Sequence, residues 1–438
     1  MDQQNSLILM LTHFHQPLPR QPFLNIDNNS VDSCSDLSMT AGSSGSSRVI
    51  ELPKHPSTKK SRRNQSRGKS SSRPFMDQQV WKDFPEDLFE AVIARLPIAT
   101  FFRFRAVCQR WNSLLTSKSF SQHCVQVPQA NPWFYTVTGE CLNSGFMYDP
   151  SVKKWHHHTF STRTEFCVQV PVASAGGLIC FTGFDHRDYC VCNPLNQSFT
   201  ELPIRPSKSH SQCYRAVGMT VNGNSTDAGY KILLVHANGD YEIYDSLRKS
   251  WSHQGNMPAG IKRPVTVNFG SCVSVDSTIY FTRSYPEAII SFDMETEVWK
   301  QNIIPSPSHV IDHALAEYNG RIMLVGLLGK NAATCVCIWE LQQMTLLWKE
   351  VDRMPNEWCL EFYGKAVIMT CLGNRGGLLM LSLRSRFSMR SVLVNRLVSY
   401  NMASREWLQV PTCKVPGGRK RQCVSYGTAF YPSLTSMA

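Results

Sequence analysis

The 438-residue chain has no apolar run of the roughly 18–20 residues that cross a bilayer. Its longest candidates, Ile322 to Leu328 and Gly377 to Leu381, are strand-sized. The N-terminal Leu7-Ile8-Leu9-Met10-Leu11 is too short and wrongly flanked for a secretory signal, so an intracellular protein is expected, in nucleus or cytoplasm and not secreted. No C-x-x-C occurs among the 16 cysteines, and a chain this long needs no disulfides for a core. They read as thiols, including Cys190/Cys192 and Cys335/Cys337, whose spacing places both sulfurs on one strand face. H-E-x-x-H, G-x-S-x-G and P-loop motifs are all missing. Gly326-Leu327-Leu328-Gly329-Lys330 has neither the loop length nor the Ser/Thr that phosphate binding needs. No catalytic residue, metal ligand set or cofactor is expected. His156-His157-His158 alternate faces at a strand start, so the three cannot converge.

Aromatics are scarce at one end. Residues 1–75 hold three of the 46, with no Trp or Tyr. This Ser-rich stretch cannot bury enough apolar surface to offset its ordering entropy, and it reads as a disordered tail. It is also basic: Lys54 to Arg73 carries eight Lys/Arg and no acid. Lys59-Lys60-Ser61-Arg62-Arg63 has the form of a nuclear-import signal, though such clusters also arise as solvated tails. Much of the net charge of +12 is therefore a tail effect, and nucleic acid is not an expected partner.

Order is expected from about Val80. Asp83 is a good N-cap, Pro85 suits a first turn and Glu86 sits three residues on. Leu88, Val92 and Leu96 then recur at helical period, with Phe89 and Ile93 beside them, until Pro97 ends the helix. Two more short helices are expected, over Ile98 to Phe104 and through Val107, Trp111, Leu114 and Leu115. About forty residues carrying this many large apolar side chains cannot cover them internally, and some surface is left for a partner. Phe84-Pro85-Glu86-Asp87-Leu88, then Leu96-Pro97, then Phe102 to Trp111 resemble the F-box motif, with Phe84 in place of the usual Leu. The resemblance implies an all-α F-box over residues 80–122. It implies a Skp-type adaptor as partner, and through it a cullin ubiquitin ligase. The adaptor-binding residues would be Phe84, Pro85, Leu88, Ile93, Leu96, Pro97, Phe101, Val107 and Trp111.

From Trp133 the helical period disappears, and short β-rich runs alternate with Gly, Pro, Asn and Asp turns. A repeat is visible. Tyr148-Asp149 leads to Trp155, Cys192-Asn193 to Phe199, Tyr244-Asp245 to Trp251, Phe292-Asp293 to Trp299, and Tyr400-Asn401 to Trp407. Trp339-Glu340 leads to Trp348 with two extra residues. The closing aromatics lie 44, 52, 48, 49 and 59 residues apart. The Asp or Asn favours a turn, and the aromatic closes the hairpin as blade core. Such units resemble kelch-type propeller blades. Asn193 to Pro203 resembles the F-box-associated repeats of plant proteins. The expected fold is thus an α+β multidomain chain: a small F-box of three short helices, then an all-β kelch-type propeller over 130–438. Trp133–Val137 and Gly427–Tyr431 are left over to complete a shared closing blade, so six or seven blades are open. An unknown client protein is the further partner, with no membrane. Its candidate contacts are the loops Ile204–Cys213, Ser284–Glu287, Arg353–Glu361 and Leu372–Arg375. Arg384, Arg386, Arg390 and Arg396 form a basic stretch suited to an acidic client or to a plain solvated edge. Two other classes are open to test: a kelch-type copper oxidase, needing Tyr, Cys and His at the propeller axis, and a nucleic-acid binder acting through Lys54–Arg73.

Overall fold

Helix α1 (Glu86–Ala94) begins after Pro85, whose extended backbone occupies the N-cap position without a side-chain cap. The computed structural model describes residues 84–105, 108–127, 131–138, 141–159, 170–183, 188–204, 214–221, 229–236, 238–261, 272–284, 287–385, 394–413 and 424–438. The basic tail, Asp83 and Val107 lie outside them. Glu86 and Asp87 sit in the first turn of α1, where acidic groups complement the helix dipole. The helix closes through Arg95 N–H to the Val92 carbonyl. Pro97 then separates it from α2 (Ile98–Arg105). Helix α3 (Gln109–Ser113) runs on into a 3₁₀ turn (Leu114–Thr116). A further helix, α4 (Lys118–Gln126), follows, which the sequence reading did not separate out. Ser117 caps it, its hydroxyl accepting from Phe120 N–H at 3.2 Å. The same hydroxyl donates to the buried carboxylate of Glu90 on α1 at 2.8 Å, and Ser119 Oγ donates to the other oxygen. One acid at the N-terminus of α4 therefore satisfies two hydroxyls and the helix dipole at once.

The strands form six four-stranded antiparallel sheets, and the wheel has six blades. Blade 1 combines β1 (Trp133–Thr138), β2 (Cys141–Asp149) and β3 (Lys154–Thr159) with the last strand, β24 (Val424–Phe430). Pairing runs from Trp133 opposite Phe430 to Thr138 opposite Val424. The leftover terminal strands thus share one blade, which fixes the number at six. Blade 2 holds β4 (Val170–Ala175), β5 (Leu178–Thr182), β6 (Tyr189–Cys192) and β7 (Phe199–Glu201). Blade 3 holds β8 (Tyr214–Val221), β9 (Tyr230–His236), β10 (Asp240–Asp245) and β11 (Ser250–Asn256). Blade 4 holds β12 (Val273–Val275), β13 (Thr278–Ser284), β14 (Glu287–Asp293) and β15 (Trp299–Ile303). Blade 5 holds β16 (Val310–Tyr318), β17 (Arg321–Lys330), β18 (Ala333–Gln342) and β19 (Leu347–Arg353). A short helix, α5 (Asn356–Leu360), then leads into blade 6, with β20 (Val367–Arg375), β21 (Leu378–Ser385), β22 (Asn395–Asn401) and β23 (Glu406–Gln409). Strands β24, β4, β8, β12, β16 and β20 touch in turn around the axis.

Each blade closes on the expected aromatic. Tyr148 faces Trp155, Cys192 faces Phe199, Tyr244 faces Trp251, Phe292 faces Trp299 and Tyr400 faces Trp407 across the third and fourth strands. Ring centroids in the four aromatic pairs are 4.6–5.4 Å apart. The fifth blade corrects the sequence reading. There Leu341, not Trp339, faces Trp348, so its hairpin has the same length as the others. Trp339 pairs with Glu350 instead. In all six hairpins the residue two before the aromatic has positive φ: Lys153, Gln197, Lys249, Glu297, Leu346 and Arg405. In five the Asp or Asn side chain accepts a backbone N–H two residues on, at Ser151, Leu195, Leu247, Glu295 and Ala403. That bond holds the turn and explains why Asp or Asn recurs there.

Candidate functional site

The helical face carries the largest departure from simple burial. At 3.6 residues per turn, Leu88 and Val92 lie one above the other on α1, while Ile93 points about 140° away from Leu88. Leu88 is 50% exposed and Val92 53%, with Pro85 exposed beside them. Phe104, at the end of α2, is 41% exposed. Trp111 is half-buried, edge-on to Phe89 at 5.7 Å and tilted against Phe104 at 5.1 Å. Arg110 lies over the Phe89 ring at 4.3 Å and pairs with Glu86, so a charged pair borders these rings.

Eight of the nine residues expected to face an adaptor, all but Val107, are among the described residues, and they divide. Pro85, Leu88 and Pro97 are exposed, and Phe84, Leu96 and Trp111 are half-buried. Ile93 and Phe101 are sealed, at 2% and 0% exposure. Phe101 stacks on Phe120 at 5.6 Å. Both belong to an apolar core that continues through Leu114 into Trp133, Tyr135, Ile179 and Phe181 of blades 1 and 2. The helical period cannot tell a face that meets the wheel from a face that meets solvent, and both sides of α1 are apolar. Val92 and Phe104 were missing from the expected set. Their signal is the i, i+4 spacing from Leu88 and the place at the end of α2.

Strand topology decides at which end of the wheel each expected client loop lies. In each blade the second-to-third hairpin and the connector to the next blade lie at one end. The first-to-second and third-to-fourth turns lie at the other. Ser284–Glu287 and Arg353–Glu361 therefore share an end, and Ile204 begins a connector there. Residues 205–213 and 285–286 are outside the described residues, as are Arg386 and Arg390. Leu372–Arg375 is not a loop. It is the last part of β20 and runs toward the other end, because a bulge between Cys371 and Gly373 lets the strand continue. Within the basic stretch, Arg396 is already engaged by Glu361 and by the Trp358 ring at 4.8 Å.

The remaining candidates pack rather than converge. His156 stacks on Trp133 at 5.3 Å, His157 leans on Phe146 at 5.1 Å, and His158 is buried beside Tyr135. Burial pushes His158 down to about 4, with His157 adding to the shift. Among the blade aromatics Trp299 is buried, while Trp155, Phe199, Trp251, Trp348 and Trp407 are half-buried against their hairpins. The indole N–H of Trp155 donates to the Pro411 carbonyl and that of Trp251 to Pro203, each reaching the preceding blade. At the axis a small cavity is lined by Ser174, Cys272, Ser274, Asn374, Arg375 and Thr428, with no Tyr or His among its lining residues. Among the described residues no three His, Cys, Asp or Glu side chains are grouped to hold a metal ion, and no helix is long and apolar enough to cross a membrane.

Comparison with known proteins matches this arrangement. The F-box domain family matches residues 81–123, and the F-box associated beta propeller domain family matches residues 147–370. F-box only protein 6 of Arabidopsis thaliana is 53% identical over 420 residues, covering 94% of this chain and 88% of that protein. A match of that extent runs into the first 75 residues. F-box only protein 13 of the same organism is 27% identical over 391 residues, covering 77% of this chain and 82% of that protein. Protein UNUSUAL FLORAL ORGANS, also from Arabidopsis thaliana, is 26% identical over 407 residues, covering 84% and 88%. With its exposed helical face on one side and six closed blades behind it, the chain belongs to the F-box proteins that carry an F-box associated β-propeller.

Proposed function

We propose that this protein is the substrate-recognition subunit of a Skp–cullin–F-box ubiquitin ligase. The F-box docks a Skp-type adaptor, and the propeller recruits a client protein for ubiquitination and proteasomal degradation. The observation that carries the reading is the half-open Leu88, Val92 and Phe104 on a helical unit that also contributes to a core sealed into the wheel. Covering the open half of each side chain would contribute about 1 kcal/mol apiece. The subunit performs no bond chemistry. It raises the effective concentration of client lysines beside a ubiquitin-charged enzyme. A helical unit sharing its core with the propeller suits that task, since it fixes the client surface relative to the ligase.

Three segments, Ala99–Arg105, Asn331–Glu340 and Gly418–Arg421, resemble the plant F-box/kelch protein Leaf Curling Responsiveness, and extend the reading to leaf development. The basic cluster at Lys59–Arg63 supports a nuclear pool beside a cytoplasmic one. The decisive experiment is co-purification with a Skp-type adaptor. Leu88→Asp is expected to lose the adaptor while keeping the wild-type melting transition. Adaptor recovered at wild-type yield from the folded variant would overturn the reading. With proteasome activity blocked, proteins captured by both wild type and Leu88→Asp, and lost with the propeller, are the clients.

A further inference from the structure

The inner strands of the blades meet at the axis, and their neutral polar side chains bond to carbonyls of neighbouring blades. Ser174 Oγ on β4 donates to the Ala429 carbonyl of blade 1 at 2.5 Å. Ser274 Oγ on β12 donates to the Met219 carbonyl of blade 3 at 3.0 Å. Cys272 Sγ, just before β12, donates to the Val217 carbonyl of blade 3 at 2.8 Å. Asn374 Nδ2 on β20 donates to the Leu315 carbonyl of blade 5 at 2.8 Å and to that of Cys272 at 3.4 Å. Thr428 Oγ1 on β24 donates to Ser174 Oγ at 3.3 Å. Each of these donors is therefore engaged in stitching one inner strand to another.

Arg375 at the end of β20 differs from them. It is the one charged residue among those lining the axial cavity. Its Nη1 donates to the Ser174 carbonyl at 2.9 Å, so the guanidinium reaches from blade 6 past blade 1 to blade 2. A guanidinium carries five N–H donors, and among the described residues that is the one hydrogen bond it makes. The nearest influence of opposite sign is Glu317, whose carboxylate accepts instead from Gly320 N–H at 3.0 Å and Gly376 N–H at 3.2 Å. Among the described residues it forms no ion pair with Arg375. Burial pulls Arg375 below its ordinary value, with Glu317 opposing. A guanidinium nonetheless keeps its proton in a protein. A fixed charge drawn away from bulk water is costly until a counter-ion joins it.

We propose that the axial cavity is a halide site, with chloride held by the Arg375 guanidinium. Size narrows the class of anion. The cavity is about 20 Å³, somewhat above the roughly 10–15 Å³ that admits one water-sized occupant. A monatomic anion fits there, and a phosphate or a peptide carboxylate does not. Charge-assisted bonds from the free guanidinium N–H groups favour the anion over water. The ion sits where the wheel closes, since β24 lies between β20 and β4 and completes blade 1 with β1. Chloride there ties blade 6 to blade 2 across β24 and tightens that closure. The site lies toward the end of the first-to-second turns, away from the loops read as the client surface, and it depends on neither client nor adaptor.

The test follows thermal melting of the full chain as sodium chloride replaces sodium gluconate at constant ionic strength, gluconate being too large for the cavity. Wild type is expected to show a saturating rise of about 2–5 °C, and chloride should slow amide exchange most in β24 and β4. Arg375→Met keeps an unbranched stem and loses the charge, and should show no saturating rise. Bromide soaked into wild-type crystals is expected to give an anomalous peak beside the guanidinium, a result that does not require the variant to fold. Wild-type melting without the saturating rise, or the same rise in folded Arg375→Met, would overturn the site. Crystals with no bromide at Arg375 would overturn it as well. A bromide peak without the saturating rise in solution would mean an adventitious ion only, and the proposal would fall.

Discussion

Leu88 and Ile93 sit five residues apart on the same helix and face opposite surroundings: half of Leu88 is open to solvent, and Ile93 is sealed at 2%. Their truncations should separate cleanly. Ile93→Ala is expected to cost about 2–5 kcal/mol of stability, as a large-to-small change in a packed core. Leu88→Ala should cost under about 0.5 kcal/mol, as a surface change. Urea denaturation of the two variants measures this. Adaptor affinity should show the reverse order once both are compared folded.

Glu90 tests the joint between α1 and α4. Glu90→Gln keeps the shape but removes the charge that accepts from Ser117 and Ser119 at the start of α4. A loss of about 1.5–3 kcal/mol is expected, the range for a hydrogen bond to a charged group. Faster amide exchange at Phe120, whose N–H bonds to Ser117 Oγ, should accompany it.

Asn193 is fully buried and works in two directions. Its oxygen accepts from Leu195 N–H at 3.0 Å, and its nitrogen donates to the Ser433 and Ser436 carbonyls at 2.8 and 2.9 Å. Asn193→Asp retains the turn but sets a carboxylate against two carbonyls. We expect a loss of at least about 1–3 kcal/mol, with residues 433–438 losing amide protection first.

The blade 5 hairpin is the one without the Asp or Asn. Gln342 stands in that place, and Leu346 holds positive φ. Leu346→Asn should relieve part of the roughly 1–2 kcal/mol cost of the left-handed conformation. Melting temperature is expected to rise, and Arg405→Asn in blade 6 should act alike.

Stability should depend on acid through His158. Its folded value, about 4, lies below the unfolded value of 6.5. Above pH 6.5 the imidazole is neutral in both states and nothing is lost. As pH falls from 6.5 to 4, only the unfolded chain takes up the proton, and about 3 kcal/mol of stability disappears. Asp312 has the opposite slope. Burial raises it from 3.8 to about 6, so its contribution falls as pH rises across that interval. Asp312→Asn should therefore stabilise the protein at pH 7 and not at pH 3, and His158→Gln should flatten the acid limb. Denaturant titrations at pH 3, 5 and 7 separate the two.

Much of this was readable before any coordinates. Local chemistry repeats in the sequence, so the turn at Asp149, Asn193, Asp245, Asp293 and Asn401 declared five hairpins and their aromatics. The fifth blade was misread because Trp339-Glu340 imitates the repeat two residues early, and only pairing registers Leu341 against Trp348. Ile93 and Phe101, expected at the adaptor face, are buried, and the sequence hid this for a different reason. Periodicity reports that a side chain is apolar, not what covers it, and what covers these two comes from blades 1 and 2. Arg375 reached Ser174 only through closure of the wheel, across 201 residues, which leaves no local trace.

The strand β24 lies beside β1, and Phe430 and Leu434 complete the same core that buries Ile93 and Phe101. On the ribosome, those helical side chains emerge about three hundred residues before the strand that finishes their shelter. At roughly 5–20 residues per second, the interval is about 15–60 s. A product cut short before Val424 would lack the strand that finishes this core.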